Sequence, residues 1–223
     1  MSTAKRQMSD TYLVAAILAS AGGFLDAYSY MVRGGVFANA HTANIVLLGQ
    51  SFFERDWMSC GKYFAPIIMF IAGVLVADRI RRRFMHSRFH WRNYVILLEA
   101  LVLTGASFIP HGNWDMIANI LISFVCSLQV ESFRKVHSIP FSTTLCTGNL
   151  RTATESLSMY MTEKKEESLS AALKLYGIVV FFAMGVVLGT LISAASGRAA
   201  LSFAIIELIA VFVLMLIDKE KTE

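Results

Sequence analysis

Charge is scarce in this chain: Asp, Glu, Lys and Arg together make up 16% of its 223 residues, where a soluble domain has about a quarter. That shortage argues against a water-soluble domain, which needs a polar exterior. Cysteine is scarcer still. Cys60, Cys126 and Cys146 show no CxxC or other metal-ligand spacing, and an odd count without pairing makes no disulfide framework. GxGxxG, a P-loop, HExxH and GxSxG are all missing, so the common signatures of soluble nucleotide-binding and hydrolytic enzymes are absent. The expectation is a protein that is not an enzyme, with no catalytic residues, no metal and no cofactor. The net charge of +4 points to nucleic acid only until its distribution is inspected. Six basic residues fall between Arg79 and Arg92, in DRIRRRFMHSRFHWR, and such a block beside a membrane span marks a cytoplasmic loop. No nucleic-acid partner is expected.

Apolar residues take the place of the missing charge, at 56% of the chain with a mean hydropathy of +0.57. They come in runs. Leu101–Ile109, Ile117–Gln129, Leu175–Ala195 and Ala199–Ile217 hold a single charged residue among them, Glu207. A transmembrane helix needs about 20 mostly apolar residues. The expected fold class is therefore an all-α polytopic membrane protein, its first partner the lipid bilayer. Six segments are long enough to cross, at roughly 11–32, 62–80, 93–110, 115–134, 173–194 and 199–217. Lys5 and Arg6 before an apolar run, with Ala19-Ser20-Ala21 behind it, resemble a signal peptide with its cleavage site. Hydrophobic sequence continues to Val32, however, and an uncleaved first span is the better reading.

Two polar stretches interrupt this pattern: GGVFANAHTANIVLLGQ at 34–50 and SIPFSTTLCTGNLRTATES at 138–156. Positive charge says how they run. The basic block puts the second-to-third loop inside, and PHGNWD at 110–115, free of Lys and Arg, falls outside. Arg134, Lys135, Lys164, Lys165, Lys174, Lys219 and Lys221 then all lie inside, as do Lys5 and Arg6, provided neither polar stretch crosses. Both termini are expected in the cytoplasm. About seven extended residues from Gly34 descend roughly 20 Å at 3.3 Å each, and a helix from Thr42 to Phe53 returns about 18 Å. Its N-terminus would sit near mid-membrane, where bare backbone is tolerated only against protein or a water-filled cavity.

A shift of 105 residues lays Thr42 and Asn44 on Thr147 and Asn149, Asp26 on Glu131, and Gln50 on Glu155. The expected architecture is six spanning helices plus two re-entrant half-helix segments, built as two inverted repeats. The first repeat is 1–112 with its re-entrant segment at about 34–53, and the second is 113–223 with its re-entrant segment at about 138–158. Inverted repeats whose discontinuous helices meet near the midplane are a recurring plan of secondary transporters.

GGFLDAYSY followed by VFANAHTANIVLLG, and later FSTTLCTGNLRTATES, resembles the YoaK family of bacterial integral membrane proteins over about residues 10–217. The resemblance implies a six-span protein of the cytoplasmic membrane and carries no assigned chemistry. The family's first motif reads Thr-Gly-Asn where this chain has Thr42-Ala43-Asn44, while Gly148 keeps the pattern in the second. Glycine allows close backbone approach, so the two sides need not be equivalent.

The candidate substrate- or ion-binding residues follow from these stretches. Asp26 and Glu131 lie about two thirds along their spans, where a charge costs at least a few kcal/mol. They are candidates for proton coupling, with ion pairing of Glu131 to Arg134 or Lys135 as the structural alternative. Thr42, Asn44, Thr147 and Asn149 start the half-helices, where unpaired N–H groups favour an anion or polar ligand; they would also serve as caps. Asn39, Thr143 and Thr144 fall on the descending arms, and His41 titrates near neutral pH. Gly148 completes the set. Cys146, which matches His41, reads as a small packing residue. Gly73 and Gly185 read as close-approach points between helices.

The expected function is a secondary transporter of a small polar or anionic solute, with Asp26, Glu131 or both as the groups that would couple it to protons. A passive channel of the same architecture, or a membrane-embedded enzyme acting on a lipid or quinone, are the alternatives. A homodimer is compatible with the sequence, although no interface can be read from it.

Overall fold

In the computed structural model the described residues are 8–220, apart from 86, 88, 89, 137 and 138. Lys5, Arg6, Arg88 and Lys221, used above for orientation, and Ser138, the expected start of the second polar stretch, lie outside them. Eight α-helices account for most of these residues: α1 (Tyr12–Val32), α2 (His41–Phe53), α3 (Trp57–Phe84), α4 (Trp91–Ser107), α5 (Asp115–Ser132), α6 (Cys146–Glu163), α7 (Glu166–Ser196) and α8 (Leu201–Glu220). Among the described residues the only strands form a small antiparallel pair, β1 (Lys135–Val136) with β2 (Ile139–Pro140). TEKKEE, which reads as a loop, is shared between the end of α6 and the first turn of α7, so both helices run longer than their patterns predict.

Local chemistry sets the breaks. Thr11 starts α1 by accepting from the Val14 N–H at 3.5 Å. Gly34 and Gly35, both at positive φ (81° and 76°), turn the chain away from its end, a conformation that glycine adopts without steric cost. Asp56 opens α3 by accepting from the Ser59 N–H at 3.1 Å. Gly197, at φ 53°, ends α7.

Large apolar side chains stand exposed in helical rows: Ile68, Ile71 and Leu75 on α3; Val180, Met184, Val187 and Leu191 on α7; Ile206, Ile209 and Val213 on α8. Water does not tolerate patches of this extent on a monomer, and lipid does. Four stretches are long and apolar enough to cross a bilayer: Tyr12–Val32, Trp57–Phe84, Asp115–Ser132 and the 52-residue Glu166–Ile217, which takes in α7 and most of α8. The chain is an all-α membrane protein.

Inside the bundle, close approach depends on glycine. A Cβ on Gly23 or Gly185 of the α1–α7 seam would come within 2.1 or 2.0 Å of the Phe182 or Ser20 carbonyl oxygen. On Gly73, between α3 and α5, it would lie 1.7 Å from Ser127 Oγ. The helix pairs come in matching sets. α1 packs on α7 as α5 packs on α3, α2 on α3 as α6 on α7, and α1 on α8 as α5 on α4. Exchanging α1–α4 with α5–α8 therefore maps these contacts onto one another.

Two arginines fasten opposite ends of α4. Arg33, with no solvent exposure, bonds Asp115 (3.0 Å), the Tyr28 hydroxyl (3.0 Å) and the Ile109 carbonyl (3.0 Å) at the end following α4. At its start, Arg92 bonds Asp10 (2.7 Å), Ser9 Oγ (2.6 Å) and the Ser132 carbonyl (2.8 Å). Asp10 and Asp115 also match at the shift of 105.

Candidate functional site

Between α1 and α2 the chain runs as an arm held on the inner face of α1. The Ala38 N–H donates to Ser29 Oγ at 3.2 Å, and the Asn39 N–H to Asp26 Oδ1 at 2.8 Å. The Asn39 side-chain amide donates to the Gly22 carbonyl at 3.2 Å. Asn44, on the first turn of α2, reaches back to grip Phe37 at both ends of its backbone. Asn44 Nδ2 donates to the Phe37 carbonyl at 2.6 Å and Oδ1 accepts from its N–H at 3.1 Å.

The second arm repeats this grip at the shift of 105. Asn149 Nδ2 donates to the Ser142 carbonyl at 2.6 Å and Oδ1 accepts from the Ser142 N–H at 3.0 Å. Asn44 is fully buried and Asn149 is 4% exposed, so each side chain satisfies arm backbone that lacks water. The two arms meet at Gly22. One donates to its carbonyl, and the other lays Thr144 so close that a Cβ on Gly22 would be 2.7 Å from Thr144 Cγ2.

The caps expected from Thr42, Asn44, Thr147 and Asn149 are not formed. The N-cap positions are Ala40 and Leu145, and neither helix has a side-chain cap. Thr42 and Thr147 are exposed instead, and the asparagines hold the arms rather than the helix ends. In the first turn of α2 the His41 and Ala43 N–H groups donate to the Asn39 and Ala40 carbonyls, each at 2.9 Å, which leaves Thr42 as the position where a helix start could offer its N–H to a ligand.

Both helix starts open on one cavity of about 910 Å³. Of the residues singled out in the sequence, Asp26, Asn39, His41, Thr42, Thr144 and Thr147 line it, as does Cys146, which matches His41 at the shift of 105. The remaining wall is mainly apolar, with Tyr30, Phe37, Phe70 and Phe182 prominent. Asn44, Thr143, Gly148, Asn149 and Glu131 are not in the lining. At Gly148 an added Cβ would meet nothing within 4 Å, so packing within this chain does not require glycine there. Glu131 is ion-paired with Arg134 one helical turn on.

His41 packs edge-to-face on Phe70 at 4.4 Å, and neither ring nitrogen meets a hydrogen-bond partner among the described residues. Two residues that carry no motif prove equally notable. Glu99, in the middle of α4, has 0% exposure and both carboxylate oxygens unpartnered among the described residues. Glu207 on α8 likewise leaves Oε2 without a partner there. Only the rarity of charge inside an apolar run could have flagged them. No group of three or more His, Cys, Asp or Glu that could hold a metal occurs among the described residues. The site offers hydroxyl and backbone donors, one carboxylate and one imidazole in an apolar vestibule, a set suited to holding a small polar solute.

Residues 14–214 match the family model described as a protein of unknown function, DUF1275. A relative from Bacillus subtilis (strain 168), the UPF0700 transmembrane protein YoaK, is 27% identical over 161 residues, covering 68% of this chain and 69% of the relative. No solved structure matches. The chain belongs to the DUF1275 family.

Proposed function

We propose that this member of the family is a secondary transporter, not an enzyme, that carries a small polar or anionic solute across the bacterial plasma membrane. The observation that carries the reading is the convergence of two uncapped helix starts, at His41-Thr42 and Cys146-Thr147, on one cavity that also holds Asp26. α1, α3, α4, α5, α7 and α8 act as six crossings, while α2 and α6 with their arms enter and return. The matched helix pairs and the twin asparagine grips at a shift of 105 support two inverted repeats, 1–112 and 113–223. The basic loop between α3 and α4 then lies in the cytoplasm with both termini. Asp26, in the cavity wall and bonded to the first arm, couples solute to proton movement; the ion pair of Glu131 argues against an equal role there. The bilayer is the only other partner this requires, and a homodimer is compatible with it.

Purified protein in pyranine-loaded proteoliposomes, challenged with small carboxylates, amino acids and inorganic anions, tests the reading. At least one solute is expected to move protons, and Asp26→Asn to abolish that movement. In a background without Cys60, Cys126 and Cys146, cysteines at Gly35 and Trp57 are expected to react together with an impermeant thiol reagent from outside the cell. Labelling of only one would mean that the first polar stretch crosses, and the binding-site assignment would fall. Solute flux without saturation or proton movement would favour a passive channel.

A further inference from the structure

The wall of the cavity between the two helix starts is one-sided in its charge. Among the described residues, Asp26 is the one acid that lines it, and no lysine or arginine does. Asp26 Oδ1 accepts from the Asn39 N–H at 2.8 Å, a neutral donor, so the wall supplies no counter-charge. A carboxylate set among apolar groups needs a proton or a cation as its partner.

Asn39 adds a second, independent observation. It lines the same cavity, is 2% exposed, and keeps Oδ1 without a donor among the described residues. An ionised Asp26 and the Asn39 side-chain oxygen only accept, so a ligand that suits both must donate. The apolar part of the wall includes four rings. Tyr30 stacks on Phe37 at 4.7 Å, and Phe70 and Phe182 complete the set. Ring faces attract a cation as well as cover an apolar body. The two helix starts weigh on the other side, each counting as about half a positive charge. That field fades within the first turn, and in α2 the His41 and Ala43 N–H groups already serve backbone carbonyls.

We infer that the cavity takes a small protonated amine with an apolar body, and that its ammonium group and a proton are alternative occupants of Asp26. The inference rests on the transport reading of this cavity and adds the class of solute and the sense of coupling. When the amine arrives, the O–H bond of Asp26 breaks and its proton leaves to water in the cavity. The electron pair stays on the carboxylate, which then accepts from the ammonium N–H. One positive charge replaces another, so amine and proton move in opposite directions. The other titratable groups around Asp26 are Tyr30 on its own helix, His41 from α2 and Cys146 from α6, all in the wall. From α5 the buried Cys126 thiol joins the core cluster that includes Leu25. The wall residues from α3 and α7 are not titratable, and Glu207 of α8 meets Ser20 instead.

Calorimetric titration of the full chain in lipid nanodiscs tests this. The probes are phenethylamine and hexylamine, with phenylpropionate and hexanoate as acids of similar shape. Both amines should bind more tightly than their acidic counterparts. Titrations in buffers of different ionisation enthalpy count protons, and amine binding should release them. Amine affinity should rise with pH, by up to about tenfold per unit. Asp26→Asn should weaken amine binding by about tenfold or more and end the proton release. Amines that do not bind, or acids that bind equally or better, overturn the inference. So does amine binding that releases no proton at any pH where the protein stays folded, or that keeps its affinity in Asp26→Asn. The comparison of amine with acid and the proton count use unaltered protein, so both stand if Asp26→Asn fails to fold. Binding needs no transport. Amines that bind with proton release but move no protons in proteoliposomes would end the transport reading alone. Proton-coupled uptake of a carboxylate by protein that binds neither amine would end this inference alone.

Discussion

The two polar interruptions are built alike at their backbone and differently at their acids. Asn44 and Asn149 each grip a residue seven positions back, with the same pair of bonds and the same 2.6 Å donor distance. Asp26 and Glu131 occupy matching positions, yet Asp26 bonds the arm and faces the cavity while Glu131 binds Arg134. The helix starts diverge too, with an imidazole at 41 and a thiol at 146. The lesson is that the fold demands symmetry only where buried backbone must be satisfied. Side chains facing the cavity are free to differ.

The largest expected effect tests the shared frame. Gly22→Val should break both arms at once, because the added atoms would collide with Thr144 on one side while Asn39 holds the carbonyl on the other. Loss of folded protein in detergent, read by size exclusion, is the expected outcome. Gly148→Ala, with open space around it, should leave folding unchanged. Equal tolerance of the two would mean that the arms do not meet as described.

Next come the grips. Asn44→Ala and Asn149→Ala each strip two bonds from buried arm backbone, and each should cost about 1–3 kcal/mol in thermal unfolding. A large cost on one side only would end the equivalence of the two arms.

The acids sharpen the contrast. Glu131→Gln removes a pair whose arginine is 58% exposed, so its cost should stay within about 1 kcal/mol, with proton movement in proteoliposomes retained. Asp26→Asn should leave melting similarly close to wild type while proton movement is lost. A reversed outcome would move the coupling role to Glu131.

The smallest effect lies at the membrane edge. Burial first, and then the positive charge of Arg92, hold the His90 imidazole below its ordinary value of 6.5, with Asp10 opposing. The folded state therefore prefers neutral His90, whose Nδ1 accepts from the Arg92 N–H at 3.3 Å. Its contribution is complete above pH 6.5 and is lost as pH falls from there through the lower folded value. Melting profiles of His90→Asn should lose a small pH dependence in that window, and an unchanged profile would rule the group out.

Much of this was legible beforehand, for identifiable reasons. Apolar runs state which segments lie in lipid, because a bilayer imposes one rule along a whole helix. The start of α2 at His41 stands one residue from the expected Thr42, since the polar cluster and the flanking apolar runs bracket it from both sides. The shift of 105 was visible in side chains and is matched in hydrogen bonds. Capping by these threonines and asparagines was misjudged because local rules place a side-chain oxygen on the nearest helix N–H, whereas the asparagines reach seven residues back to the arm backbone.

Composition and periodicity alone were enough to make this an all-α membrane protein with two matched polar interruptions, because hydrophobicity acts residue by residue and needs no partner. Three things required the packed bundle: the meeting of both arms at Gly22, the separation of Asp26 from Glu131 into different surroundings, and the burial of Glu99 with no partner among the described residues. Each depends on which helix faces which across the membrane. Burial without a partner is a property of neighbours distant in sequence, and no local pattern records it.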